Sequence, residues 1–196
     1  MIILFFFLIS ILAATYLFTS RRLSPIPYFP ANKKDLPLIL KALNLRNSHT
    51  IVDLGAGDGL VIFEAANEAY KQKLNTQFIA VEINPILIII LHLKKLLHPN
   101  RKSIKIIFAD MFKVNVQTIV ANSVKDPTST QILRSVQNDV TIFLYISPWF
   151  LEKVYKKLKK DLKKFELVSY FYPVSSKKVT RTLLGKNKVF KYNSLN

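Results

Sequence analysis

Hydrophobic positions fall along this chain first as one unbroken run, then as runs of strand length alternating with stripes of helix length. Ile2 to Thr19 carries no charge and is dominated by Ile, Leu and Phe. A polar, proline-bearing stretch follows, with Pro25, Pro27 and Pro30, which predicts an extended and fairly stiff tether. Leu36, Ile39, Leu40 and Leu43 then repeat at helical spacing, with Asp35 as the expected N-cap and Pro37 in the first turn, where its missing N–H costs nothing. That helix is expected to reach about Leu45. Thr50–Leu54 is the first strand and Leu60–Lys73 the helix after it; Gln77–Val81, ending in Glu82, is the second strand, and Pro85–Leu97 a strongly apolar helix. Ser103–Ala109 is a third strand, ending at Asp110. Strands alternating with helices at this spacing predict a parallel sheet with right-handed crossovers.

Beyond Val116 the pattern weakens. Asn122 to Asn138 is polar, carries Pro127 and several Ser and Thr, and contains only a short candidate helix at Gln131–Val136, so it reads as a surface insertion. Periodicity returns with a fourth strand, Asp139–Tyr145. A helix begins at Pro148, with Leu151, Val154, Tyr155, Leu158 and Leu162 on one face and lysines on the other. Phe165–Tyr172 is a fifth strand, and Val179–Leu184 and Lys188–Tyr192 flank Gly185–Lys186–Asn187 as a closing hairpin. The expected organisation is an apolar segment over 1–20, a linker over 21–34 and one α/β domain over 35–196.

The first run decides what the chain is attached to. Eighteen helical residues at about 1.5 Å each span roughly 27 Å, the thickness of a bilayer core. A cleaved signal peptide wants a positive region before the apolar run; here Arg21 and Arg22 come after it. The expectation is a single-pass anchor through residues 2–19, with the domain on the cytoplasmic or matrix side by the positive-inside rule.

Composition narrows the chemistry. The 196 residues include no cysteine, so thiolate nucleophiles and cysteine-based zinc sites are excluded. His49, His92 and His98 lack ligand spacing, and no metal is expected. The formal charge of +17 invites an anionic partner, but the excess is mainly Lys spread along the chain, concentrated only between Lys153 and Lys164.

The candidate site is Asp53–Leu54–Gly55–Ala56–Gly57–Asp58–Gly59, between the first strand and its helix. Glycines supply positive φ and let backbone lie against a ligand. The helix N-terminus that follows is expected to offer unpaired N–H groups and a positive dipole end. A dinucleotide fingerprint would need GxGxxG, but Leu60 stands where its third glycine belongs; a phosphate loop would need a following GK[ST]. Glu82 and Asp110 end the next two strands, so Asp53, Glu82 and Asp110 fall at the carboxyl ends of successive parallel strands, where open α/β sheets bind ligands.

An acid–x–Gly–x–Gly–x–Gly turn with acids at these strand ends resembles the seven-β-strand class I S-adenosylmethionine (SAM) methyltransferases, a Rossmann-like sheet with helices on both faces. The resemblance implies SAM as cofactor, held by Asp53, Gly55, Ala56, Gly57, Gly59, Glu82, Asp110 and Met111, with Glu82 on the ribose hydroxyls and Asp110 near the adenine amino group. Ile26–Pro27–Tyr28–Phe29–Pro30 before the glycine turn and Leu144–Tyr145–Ile146–Ser147–Pro148 after the fourth strand extend it. Together with the apolar N-terminal segment, they resemble the small membrane-anchored protein-lysine methyltransferases related to the mitochondrial ATP synthase c-subunit lysine methyltransferase. The polar Asn122–Asn138 stretch and the tyrosines in Val168–Pro173 depart from that pattern. The resemblance implies a lysine of a membrane-associated protein as acceptor; Tyr28, Tyr145, Trp149 and Tyr170 are the aromatic groups expected to desolvate it, with Tyr145, Pro148 and Trp149 as the positioning candidates. Two alternatives stand beside it. Ser147–Pro148–Trp149–Phe150 approaches the [Asp/Asn/Ser]–Pro–Pro–[aromatic] motif of enzymes that methylate glutamine amides or nucleobase amino groups, which would make the acceptor a protein glutamine or RNA. A membrane-tethered module that binds SAM without catalysis is the other.

Overall fold

The computed structural model describes residues 1–20, 26–123 and 139–195. Arg21–Arg22, most of the polar insertion and the candidate helix at Gln131–Val136 lie outside the described residues.

The expected apolar segment is a helix, α1 (Ile2–Thr19), and none of its residues is buried. Among the described residues it alone is long and apolar enough to cross a membrane. Next come α2 (Leu36–Leu43), β1 (Thr50–Leu54), α3 (Leu60–Lys71), β2 (Gln77–Glu82), α4 (Pro85–Leu97), β3 (Ile104–Phe108) and α5 (Val116–Ala121). They are followed by β4 (Val140–Leu144), α6 (Pro148–Asp161), β5 (Phe165–Tyr170), β6 (Arg181–Leu184) and β7 (Lys188–Leu195).

The seven strands form one sheet in the order β3-β2-β1-β4-β5-β7-β6. β1 to β5 are parallel; β7 enters antiparallel between β5 and β6. All five residues of β1 and of β4 are buried, as central parallel strands covered on both faces must be. Alternate side chains part to the two faces. Val52, Leu54, Ile79 and Val81 pack with Leu151, Val154 and Leu158 of α6, while Ile51, Phe78 and Ala80 pack with Ile39, Val61, Ile62 and Leu91 of α2, α3 and α4.

Helix starts follow the expected chemistry where a cap is available. Asn84 accepts from the N–H groups of Ile86 and Leu87 at 3.0 and 3.3 Å, with Pro85 next in line. Asp35 behaves otherwise. It precedes α2 but makes no side-chain cap there. Its wholly buried carboxylate instead accepts from the Tyr170 hydroxyl at 2.6 Å and from the N–H groups of Lys186 and Asn187 at 2.6 and 3.0 Å. Those donors hold its carboxyl below the usual carboxylate range although burial pushes the other way. Asp35 thus fastens the β6–β7 turn to the start of the domain.

Candidate functional site

The glycine turn after β1 has the backbone its sequence requires: Gly55, Gly57 and Gly59 have φ of +88°, +59° and +80°. Space is as restrictive as conformation. A Cβ on Gly55 would stand 2.7 Å from Met111 Cε, and one on Gly57 2.7 Å from Tyr28 Cε2. The turn is therefore roofed on one side by the loop after β3 and on the other by the proline-rich segment.

Beside it lies a cavity, partly open to solvent, at the carboxyl ends of β1, β2, β3 and β4. Asp53, Gly55, Ala56, Gly57, Glu82, Asp110 and Met111 line it, so seven of the eight residues expected to hold a cofactor converge there. Gly59, the eighth, lies a step behind, against Leu91 and Phe63. Tyr145 also lines the cavity, whereas Pro148 and Trp149 are absent from its wall. Trp149 is 84% exposed, because Pro148 opens α6 with Leu151, Val154 and Leu158 turned inward. Lining residues to which the sequence assigned no role include Phe29, Asp58, Leu87 and Phe112.

Glu82 is the hub. One carboxylate oxygen accepts from the Gly57 N–H at 2.8 Å, and the other from the N–H groups of Ile83 and Asn84, each at 2.8 Å. Three of a carboxylate's roughly four acceptor positions are thus filled by backbone. Asp110 accepts from the Phe112 N–H at 2.9 Å and shapes the loop that carries Met111. Asp53 is buried, and its carboxyl is pushed well above the usual range by that burial first, then by the negative charges of Glu82 and Asp58. Asp58 turns away from this cluster to Lys94, at 2.7 Å. It also faces Tyr28, whose phenol is pushed up to about 12, by burial first and then by Asp58.

The turn and the helix that follows differ in their N–H groups. In the turn, the N–H groups of Gly55 and Ala56 donate to the Val81 carbonyl, Gly57 to Glu82 and Gly59 to the Ala56 carbonyl, and Leu60 at the helix start donates to the Asp58 carboxylate. Gly59 gives α3 no side-chain cap, so its first turn keeps the character expected of a helix N-terminus. The turn itself meets a ligand with its flanking carboxylates, which suits hydroxyls and positive charge.

Part of the cavity wall is aromatic. Tyr145 meets Tyr170 edge to face, with ring centroids 4.8 Å apart. Tyr170 in turn donates to Asp35, so the Tyr145 ring is braced from behind by a buried hydrogen-bonded group. Burial pushes the Tyr145 phenol above its ordinary value, and that hydroxyl stays neutral at physiological pH.

No family model matches the chain. Over 86 residues, 41% of its length, it is 34% identical to the ATP synthase c-subunit lysine N-methyltransferase of Caenorhabditis elegans, and it spans 42% of that protein. Among solved structures it is similar to an RNA methyltransferase from Salinibacter ruber in complex with S-adenosyl-L-homocysteine. The TM-score there is 0.64 at 17% identity, over 84% of this chain and 92% of that one. A conserved hypothetical protein from Streptococcus pyogenes matches at a TM-score of 0.53 and 12% identity, over 81% and 93%. With the strand order and the antiparallel seventh strand, these likenesses give the chain the fold of the SAM-dependent methyltransferases.

Proposed function

We propose that the chain is a SAM-dependent N-methyltransferase that methylates a lysine side chain of a membrane-associated protein, anchored through α1 with its domain on the cytoplasmic or matrix side. The observation that carries the reading is the cavity itself: a turn whose three glycine N–H groups already have partners, three strand-end acids and a braced aromatic wall. SAM fits that donor set, because it brings ribose hydroxyls and positive charge but no phosphate. Glu82 would take the ribose, Asp110 would lie near the adenine, and Gly55 and Gly57 would let the ligand approach backbone where a Cβ would collide. Met111 and Tyr28 would close the two sides. Bound SAM supplies an electrophilic methyl group on a sulfonium.

The protein's own part is positioning, since displacement at a methyl group needs nucleophile and carbon on one axis. A lysine acceptor must also shed a proton. With a pKa near 10.4, its neutralisation at pH 7 costs roughly 4–5 kcal/mol. Desolvation against Tyr28, Phe29, Phe112 and Tyr145 lowers that cost, and the faces of these rings suit an ammonium. Neither Tyr28 nor Tyr145 is a base, because burial holds both phenols protonated; the proton leaves to water.

The lysine acceptor draws its support from the C. elegans relative, and the membrane from the unburied apolar α1. The test is to incubate the full-length chain and isotope-labelled SAM with membranes, and to hydrolyse the labelled product. Methyl-lysine from a membrane protein is the expected result. Label confined to RNA, or no label at all, would overturn the reading.

A further inference from the structure

Helix α4 carries more apolar surface than the fold covers. Leu87 and Leu91 are its only buried residues, while Ile89, Leu93, Leu96 and Leu97 are 56%, 59%, 64% and 90% exposed. Phe108, at the end of the edge strand β3 on which α4 packs, is 63% exposed. Singly exposed aliphatic residues are ordinary, but a run along one helix beside an exposed ring marks an interaction surface.

Two observations say what covers it. The first is position. Asn84, the cap of α4, donates its side-chain amide to the Phe18 carbonyl near the end of α1 at 3.0 Å, and the two helices are in contact. The apolar face therefore begins where the candidate span ends. The second is charge. From Ile83 to Ala109 the chain holds Lys94, Lys95, Arg101, Lys102 and Lys105 and no Asp or Glu; Lys94 is paired with Asp58, which leaves Lys95, Arg101, Lys102 and Lys105 as the rim. Aliphatic side chains within a rim of one-signed cations match a bilayer interface with anionic headgroups. RNA would be met by aromatic faces on which bases stack, and here the exposed groups are aliphatic apart from Phe108.

We propose that the outer face of α4, together with Phe108, lies in the headgroup region of an anionic bilayer and presses the domain onto the membrane beside its span. This rests on the reading of α1 as that span. Ile83 and Leu87 belong to the same segment and line the cavity. The docked face thereby fixes the cavity at headgroup height, which selects acceptor lysines close to the membrane surface.

The chain has no cysteine, so single-cysteine variants can carry one environment-sensitive fluorophore each. Leu93→Cys reports on α4, Phe7→Cys on α1 and Leu184→Cys on the exposed far-edge strand β6. The full-length variants are reconstituted in phosphatidylglycerol-containing or pure phosphatidylcholine vesicles carrying a nitroxide lipid quencher. The expected result is a blue-shifted label at position 93, quenched at least twofold more than the label at 184, and more strongly in the anionic vesicles. Equal quenching in both vesicles would overturn the role of the cationic rim. A label at 93 as wet as that at 184, with position 7 quenched, would overturn the docking while leaving the anchor intact. An unquenched label at 7 would remove the anchor and the proposal with it. Protection of position 93 without lipid, in a cross-linkable dimer, or only on adding single-stranded RNA, would overturn it in favour of a second copy or a nucleic acid.

Discussion

Replacing Glu82 by Gln keeps the side chain's shape and removes one acceptor and the charge. In the native chain its two oxygens take three backbone N–H groups, from Gly57, Ile83 and Asn84, each at 2.8 Å. A glutamine has one carbonyl oxygen, and its best placement is toward Ile83 and Asn84. The amide NH₂ then faces the Gly57 N–H, donor against donor, and the turn is left tied to β2 only through the Val81 carbonyl. A hydrogen bond to a charged group is worth about 1.5–3 kcal/mol, so the free chain should lose about that much stability. The same range applies to a cofactor hydroxyl deprived of the carboxylate. At about 1.4 kcal/mol per decade, it corresponds to roughly 10- to 100-fold weaker binding. Equilibrium dialysis with labelled S-adenosylhomocysteine measures the affinity, and urea unfolding the stability. A folded Glu82→Gln chain that binds within threefold of the native one would refute the assignment of Glu82.

Three further predictions test the surroundings. Gly57→Ala puts a side chain at φ +59° and 2.7 Å from Tyr28 Cε2. Positive φ alone costs about 1–2 kcal/mol, so the melting temperature should fall and binding weaken at least tenfold. Asp53→Asn removes a carboxyl that burial, Glu82 and Asp58 hold well above its ordinary value. Its ionisation opposes folding as pH rises through the carboxylate range, so the free variant should be more stable than the native chain at pH 7 yet bind the cofactor more weakly. Differential scanning calorimetry and dialysis check the two halves. His49 is buried, donates to or accepts from Thr141 Oγ1 at 2.9 Å, and has its pKa lowered to about 4 by burial first and then by Arg46. The unfolded chain takes up that proton near pH 6.5 and the folded chain only near 4. The penalty is absent above pH 6.5 and grows on acidification to about 2 kcal/mol at pH 5. Urea midpoints at pH 7 and 5 should converge in His49→Gln; an undiminished acid shift would contradict the account.

Much of the sheet was legible because central parallel strands are buried on both faces and read as solid apolar runs. Thr50–Leu54 and Pro85–Leu97 match their elements residue for residue. The slot of β7 between β5 and β6 was not legible from the pattern, which indicated only a closing hairpin; a seven-strand sheet came with the resemblance and its order with the structure. Helix α5 was missed, since six residues capped by Asn115 leave too little periodicity to read. Asp35 had the right residue type for a cap, but its partners Lys186 and Asn187 lie some 150 positions away and no local signal reports them. The contacts that close the cavity, Tyr28 over Gly57 and Lys94 on Asp58, are long-range in the same way. Trp149 is different. Two residues from Leu151, it stands far off the Leu151–Val154–Leu158 stripe on a helix with 3.6 residues per turn. That spacing already pointed it outward, while the Ser–Pro–Trp–Phe motif drew it toward the site.

The central claim is that this cavity holds a SAM-type ligand through carboxylates rather than through a phosphate cradle. Titration calorimetry of the full-length chain and of Glu82→Gln with S-adenosylhomocysteine tests it most directly. The prediction is one saturable site in the native chain, weakened at least tenfold in the variant. The absence of a saturable heat up to millimolar ligand would contradict it.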